Sequence, residues 1–196
     1  MGAGPLLLVL TGPSGTGKDT LLAHLKSPGR PYHVSVNATT RDRRPGEVDG
    51  VDYYFVSKEE FQRMLDDDEL LEHAVVYGQE KGVPKAPIRE ALARGRDVLM
   101  RTDIQGARTI KRLVPGAITI FVAPPSGDEL RSRVKKRGGD SDEQVKLRQE
   151  TAVQEMAVAD EFDYTVVNDD LARAGNEIDE IMSRERNRAG REAVRL

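Results

Sequence analysis

The sequence predicts an α/β domain on a largely parallel sheet, and three observations carry that expectation. Four short apolar runs, "PLLLVL" at 5–10, "DVLMRTD" at 97–103, "AITIFVA" at 117–123 and "DYTVVN" at 163–168, have the length and continuous hydrophobicity of strands covered on both faces. Amphipathic segments set off by glycine or proline lie between them, the alternation that builds parallel sheets. The helices also have readable ends. Ser57 in "SKEEF" and Ser126 in "SGDEL" each precede a Glu by three residues, the capping-box spacing, and Gly95 closes "PIREALAR".

With 196 residues, no internal repeat and no low-complexity linker, the chain is expected to form one domain over 1–196. Its core would comprise 1–31, 85–125 and 161–196. Residues 32–84 interrupt the rhythm: "YHVSVNATTRDRRPGEVDGVDYYFV", a short helix and "LLEHAVVYG" read as antiparallel strands of an inserted lobe. Residues 126–160 hold two highly charged helices joined by "RGGDSDE", which reads as a mobile hairpin or lid.

Composition excludes several function classes. There is no cysteine, hence no disulfide, thiolate metal site or cysteine nucleophile. Thirty Lys plus Arg against 33 Asp plus Glu leave a formal charge of -3, so no nucleic-acid partner is expected. The arginines nevertheless cluster, at 41, 43 and 44, at 131, 133 and 137, and from 184 to 195, where they suit a polyanion smaller than DNA. No run approaches the roughly 18 apolar residues of a membrane span, and "MGAGPLLLVL" lacks the basic flank of a signal peptide. The expectation is a cytoplasmic protein with no membrane partner, monomer or homodimer. The basic end "SRERNRAGREAVRL" reads as a solvated helix or a frayed tail.

"TGPSGTGKDT", Thr11 to Thr20, joins the first strand candidate to the helix candidate "DTLLAHL". Gly12, four residues, then Gly17-Lys18 is the phosphate-loop pattern, in which backbone N–H groups turn inward around phosphate oxygens and the following helix adds its positive end. Gly12, Pro13, Ser14, Gly15, Thr16, Gly17, Lys18, Asp19 and Thr20 are therefore the candidate triphosphate site. Asp19 stands where the pattern wants Ser or Thr. Its carboxylate would face solvent, hold a metal-bound water or cap the helix; Thr20 offers the missing hydroxyl one position later. "GKDT" is in this respect similar to the "GKGT" of adenylate-kinase-like loops. Mg2+ would then be held through nucleotide phosphates and water, with Asp19 or Thr20 assisting.

A second anion site is legible in "TTRDRRPGEVDGVDYYFV" at 39–56. Arg41 and Arg44, three apart, with Tyr53 downstream, would hold a phosphate monoester by charge-assisted bonds.

With these stretches in view the chain resembles guanylate kinases. "GPSGTGK", "TTRDRRPGEVDGVDYYFV", "FQRMLDDDELLE", "DIQGA", "FVAPPS", "RVKKRGGDSDEQVKLR" and "VVNDD" occur in the family's order over roughly residues 5–180. The resemblance implies a P-loop nucleoside-monophosphate-kinase fold, with a parallel-sheet core, a GMP-binding lobe and a helical lid. It implies transfer of the γ-phosphoryl of ATP to GMP, and also dGMP, in purine nucleotide metabolism. Arg41, Arg44 and Tyr53 would clamp the GMP phosphate, and Glu72 and Asp103 would read guanine, whose adjacent N–H donors complement a carboxylate. Arg133, Arg137 and Arg148 match the lid arginines that join Lys18 and Arg41 in catalysis. Asn168 matches a residue that contacts the ATP adenine.

Four departures from the family pattern bear on the acceptor. Lys81 replaces a tyrosine that would touch the GMP phosphate, and Val83 replaces a hydroxyl that would reach guanine. Asn37 stands for a serine and keeps an amide donor. Arg101 replaces the first Asp of an Asp-x-Asp pair. Two rival functions follow: a non-catalytic guanylate-kinase-like module that binds a phosphorylated protein, or a related kinase with a different phosphorylated acceptor.

Overall fold

The computed structural model describes residues 4–26, 32–76, 78–136 and 150–196. The first sheet runs in the order β2 (Tyr32–Val34), β7 (Asp97–Arg101), β1 (Leu7–Thr11), β8 (Ala117–Ala123), β9 (Tyr164–Val167), and every pairing in it is parallel. Leu8 lies opposite Leu99 on one side and Ile118 on the other.

β1 shows no polar alternation because helices cover both faces of the sheet. Leu6, Leu8 and Leu10 pack with α1 (Lys18–Leu25) and α7 (Leu171–Asn187), through Leu21, Leu22, Leu25, Ile178 and Ile181. Leu7 and Val9 face the other way, onto Ile88 of α3 (Lys85–Ala93) and Ile104, Ala107 and Ile110 of α4 (Ile104–Leu113). Leu6, Leu7, Leu8, Val9 and Leu10 are all wholly buried.

The second sheet has the order β4 (Tyr53–Phe55), β3 (Asn37–Thr39), β6 (Gln79–Pro84), β5 (Leu70–Val76). α2 (Lys58–Asp66) closes it with Phe61, packed on Ala38 and Leu70. The expected helix start is present: the Glu60 N–H donates to Ser57 Oγ at 3.0 Å. Two expectations need correction. β2 belongs to the first sheet, beside β7, so the lobe's sheet begins at Asn37 rather than at 32. β3 and β4 are parallel, because the chain between them swings back before re-entering; only the β3–β6 and β5–β6 pairs are antiparallel.

α5 (Gly127–Lys136) starts at Ser126, whose Oγ accepts the Glu129 N–H at 3.1 Å. It packs through Leu130 on Ala152 and Met156 of α6, which is described over 150–156. The expected lid hairpin "RGGDSDE", with Arg137 and Arg148, lies outside the described residues.

The basic C-terminal end is neither frayed nor merely solvated. Arg186 pairs with buried Asp97, Arg188 with buried Glu185 at 3.3 Å, and Arg191 Nη2 donates to the Gly4 carbonyl at 2.7 Å. Val194 and Leu196 pack on the α3–α4 side of the sheet. Single-residue hydrophobicity in a basic run concealed this, since the tail buries isolated apolar positions and satisfies buried carboxylates rather than forming an amphipathic stripe.

Candidate functional site

The candidate residues gather where the central strands end, the position at which open α/β sheets bind ligands. β1 leaves the sheet at Thr11, and Gly12, with φ 132°, passes so near β8 that a Cβ would lie 2.4 Å from the Val122 carbonyl oxygen. The loop then folds on itself: Thr16 Oγ1 donates to the Pro13 carbonyl at 3.0 Å. Lys18 Nζ donates to the carbonyls of Gly12 and, at 2.8 Å, Pro13. α1 begins at Lys18, so its unsatisfied N–H groups face the loop's concavity.

The end of β9 braces this loop. Asn168, buried, donates from Nδ2 to the Thr16 carbonyl at 2.8 Å, and a Cβ on Gly17 would come within 2.6 Å of that nitrogen. Arg133 of α5 reaches the same corner, donating from Nη1 to the Asn168 carbonyl at 3.1 Å and from Nε to Glu129 at 2.8 Å. Glu155 of α6 accepts the Ser14 N–H; burial pushes its carboxyl up, while Lys18 and that N–H oppose the shift and Asp103 adds to it.

On the opposite side the β5–β6 register shifts between Leu70 and Glu72, and Leu70, Leu71 and Glu72 are all buried. A bulge is what allows three consecutive residues to escape strand alternation. Glu72 Oε1 accepts the Thr102 hydroxyl at 2.6 Å, whereas Oε2 is buried without a partner. Burial pushes the Glu72 carboxyl up to about 7, against the Thr102 hydrogen bond and with help from Asp103. Gly106 makes the arrangement possible: a Cβ there would lie 2.1 Å from Thr102 Oγ1 and 2.6 Å from Glu72 Oε2. Asp103 caps α4, its Oδ1 accepting the Gly106 N–H at 2.7 Å.

Between these two halves lies a cationic cluster. Arg41 donates to both oxygens of Glu47, through Nη1 at 2.7 Å and through Nη2, and its guanidinium is 5.0 Å from the Tyr53 ring centroid. The Arg41 hydrogen bond holds the Glu47 carboxyl below its ordinary value, against the cost of burial. Arg101 lies 4.6 Å from the same ring centroid and pairs through Nε with Asp19 at 3.0 Å. Arg44 is exposed, and its backbone N–H donates to Glu47 at 2.8 Å. A loop with paired arginines and a phenol, beside a glycine-rich anion cradle and a buried half-satisfied carboxylate, can hold two phosphate groups and a base rich in N–H donors.

A guanylate kinase family model matches residues 5–185. The chain belongs to the guanylate kinase family. It is 42% identical over 181 residues to the guanylate kinase of Carboxydothermus hydrogenoformans, spanning 92% of this chain and 89% of that one. Against a guanylate kinase of Thermus thermophilus it is 46% identical over 185 residues, 94% of this chain and 84% of the relative. The crystal structure of guanylate kinase from Anaplasma phagocytophilum superposes with a TM-score of 0.79 at 32% identity, covering 97% of this chain and 90% of that one.

Within this guanylate kinase framework the sequence-predicted residues are distributed unevenly. Gly12 to Thr20, Arg133 and Asn168 lie around the loop, and Arg41, Tyr53, Glu72 and Asp103 around the second half; Arg137 and Arg148 lie outside the described residues. One placement differs from expectation, and two residues make contacts that the sequence does not show. Asp19 does not simply face solvent, water or the helix end: it is salt-bridged to Arg101. Asn168 is turned onto the loop backbone. Asn37 spends an amide N–H on the Arg101 carbonyl at 2.9 Å, leaving its Oδ1 buried and unpartnered. Lys81 is half-buried on β6 opposite Thr39, and Val83, opposite Glu72, is wholly buried. Thr20 is exposed on α1.

Sequence reasoning missed Thr102, Gly106, Glu47 and Glu155 as parts of the site. Gly106 lay in the quoted "DIQGA", but the reason for a glycine inside a helix appears only when Glu72 is seen above it. No helix among the described residues is long and apolar enough to cross a membrane. Nor do the described residues contain a group of three or more His, Asp or Glu that could hold a metal by themselves.

Proposed function

We propose that this guanylate kinase transfers the γ-phosphoryl group of ATP to the phosphate of GMP, or of dGMP, releasing ADP and GDP. The observation that carries the acceptor assignment is Glu72, whose buried Oε2 has no partner among the described residues. A buried acceptor without a donor is costly, and the guanine pairing edge supplies N–H donors where adenine would present a ring nitrogen lone pair. Asp103 lies beside it, with one oxygen on the α4 cap.

ATP would place its phosphates over residues 12–20, at the positive end of α1. Lys18, held by two loop carbonyls, would reach the β- and γ-phosphate oxygens. Asn168 acts here as a brace for the loop. Arg41, Arg44 and Tyr53, assisted by Lys81 as a point charge, would hold the acceptor phosphate. A GMP phosphate oxygen forms the new bond to the γ-phosphorus as the bond to the β-bridging oxygen breaks, and that oxygen leaves on ADP. No protein base is needed, because the acceptor phosphate is ionised at neutral pH. Charge spreads over the equatorial oxygens in the transition state, and Arg133, with Arg137 and Arg148, would neutralise it; an arginine in such a place is worth about 10³ to 10⁵ in rate.

The exposed Thr20 hydroxyl and the Asp19 carboxylate are hard oxygen donors on the first turn of α1, suited to Mg2+ but too few for its octahedral shell. Phosphate oxygens and water would complete it. When bound, Mg2+ neutralises charge on the ATP phosphates. We further propose a functional division into a core (1–31, 85–125 and 161–196, joined by β2), an acceptor lobe (the remainder of 32–84) and a lid (126–160) whose closure excludes water from the transfer.

A coupled ADP-release assay over GMP, dGMP, AMP, CMP and UMP tests the reading. Turnover confined to GMP and dGMP is expected. ADP release with another nucleotide alone would transfer the assignment to a kinase of different acceptor, and none with any would leave a binding module.

A further inference from the structure

A residue that departs from the phosphate-loop pattern touches one that departs from the family pattern. Asp19 follows Lys18 on the donor loop's helix, and Arg101 ends β7, between β2 and β1 in the first sheet; Arg101 Nε and Asp19 Oδ1 are 3.0 Å apart. The Arg101 side chain is 14% exposed, that of Asp19 52%. The arginine is therefore the buried partner, aimed inward by its neighbours rather than free on the surface.

Its direction is set by three further contacts. Nη2 donates to the Asp52 carbonyl at 3.3 Å, and the guanidinium lies 4.6 Å from the Tyr53 ring centroid. The Arg41 guanidinium lies 5.0 Å from that centroid. The Arg101 carbonyl also receives the Asn37 amide, fastening the start of β3 to the end of β7. Tyr53 thus has two guanidiniums converging on it, one from the lobe and one from the core.

The charge balance gives this convergence a purpose. A phosphate monoester carries about 1.5 to 2 negative charges at pH 7. Arg41 alone cannot match it, since both its terminal nitrogens are already on Glu47. Arg44 is exposed, and only its backbone N–H reaches Glu47. Arg101 supplies a second, largely buried guanidinium beside the Tyr53 ring, carried by the first sheet instead of by the lobe. We propose that Arg101 is a specificity-determining cation of the acceptor-phosphate site, positioned by Asp19, so that the donor loop and the acceptor clamp share one ion pair. This rests on the assignment of GMP as acceptor. It also gives a reason for an acidic residue beside the phosphate-binding lysine: Asp19 orients a cation that the site uses and balances it before the acceptor arrives.

The test is equilibrium binding of GMP and of guanosine, which lacks the phosphate, to the full chain. Arg101→Met is expected to loosen GMP at least tenfold and guanosine less than twofold, while Arg101→Lys recovers part of the loss. Equal loosening of both ligands would assign Arg101 a merely structural role and overturn the proposal, as would unchanged GMP binding. Asp19→Asn and Arg101→Met are expected to be non-additive on GMP binding by threefold or more; additivity would overturn the positioning by Asp19. Wild-type protein that binds neither ligand would sink the acceptor assignment itself, and the role of Arg101 with it.

Discussion

The hydroxyl of Thr102 donates to Glu72 Oε1 at 2.6 Å, and the other oxygen of the same carboxylate is buried with no donor among the described residues. One oxygen positions the group and the other is left for a ligand. Because burial pushes this carboxyl up to about 7 from 4.5, its ionisation opposes folding: below pH 4.5 it is protonated folded and unfolded, and above about 7 it is ionised in both. Between those values the unfolded chain ionises first, so Glu72 lowers stability as pH rises, by on the order of 3 kcal/mol in full. Glu72→Gln should therefore melt higher than wild type at pH 8 and equally at pH 4 in calorimetry. The same substitution should weaken guanosine binding at pH 8 by tenfold or more while leaving ATP binding within twofold.

Guanosine has no phosphate to titrate, so its affinity isolates the carboxylate. If the ionised form accepts the guanine N–H donors, wild-type affinity should climb from pH 5.5 to 8 and flatten in Glu72→Gln. A pH-independent wild-type affinity would contradict the assignment.

Gly106 leaves room for that pair. Gly106→Ala would drive a methyl group into Thr102 and Glu72, and overpacking of this kind typically costs about 1–3 kcal/mol. Urea denaturation should report that loss, and the KM for GMP should rise more than the KM for ATP.

The loop brace predicts the opposite selectivity. Asn168→Ala removes the donor to the Thr16 carbonyl, at a cost of about 1–3 kcal/mol if the carbonyl stays buried. The KM for ATP should rise severalfold with little change for GMP. Lys18→Met, by contrast, should abolish turnover and leave the melting temperature near that of wild type, because the carbonyls of Gly12 and Pro13 to which the lysine donates belong to a loop and not to the packed core.

Deleting residues 189–196 checks the tail. It removes the Arg191 hydrogen bond to Gly4 and the packing of Val194 and Leu196, so a drop in melting temperature of roughly 4 °C or more is expected. A frayed tail would leave the melting temperature unchanged.

Much of the fold was legible locally. Strands buried on both faces show as unbroken apolar runs, and β1, β7, β8 and β9 fall within the four that the sequence displays. Ser57 and Ser126 accept their cap N–H groups because capping is decided over three residues. The phosphate loop was legible because its glycines answer to local backbone geometry. β2 was misplaced because three residues carry no signal of which sheet they will join, and the parallel β3–β4 pair depends on the path of the chain between them.

The site divided along the same line. The sequence by itself determined the residue types and their order: a lysine after a glycine-rich turn, two arginines and a tyrosine in a loop, and a glutamate after an apolar pair. Only the tertiary structure decided which of them meet. Asp19 and Arg101 are 82 positions apart in the chain and 3.0 Å apart in the fold. Glu72 becomes a buried, half-satisfied carboxylate because a bulge turns it inward, Thr102 holds one oxygen and Gly106 leaves space for the other. The physical reason is that burial, pKa and charge pairing are properties of surroundings brought together from distant segments, whereas helix ends, strand hydrophobicity and glycine turns are properties of near neighbours.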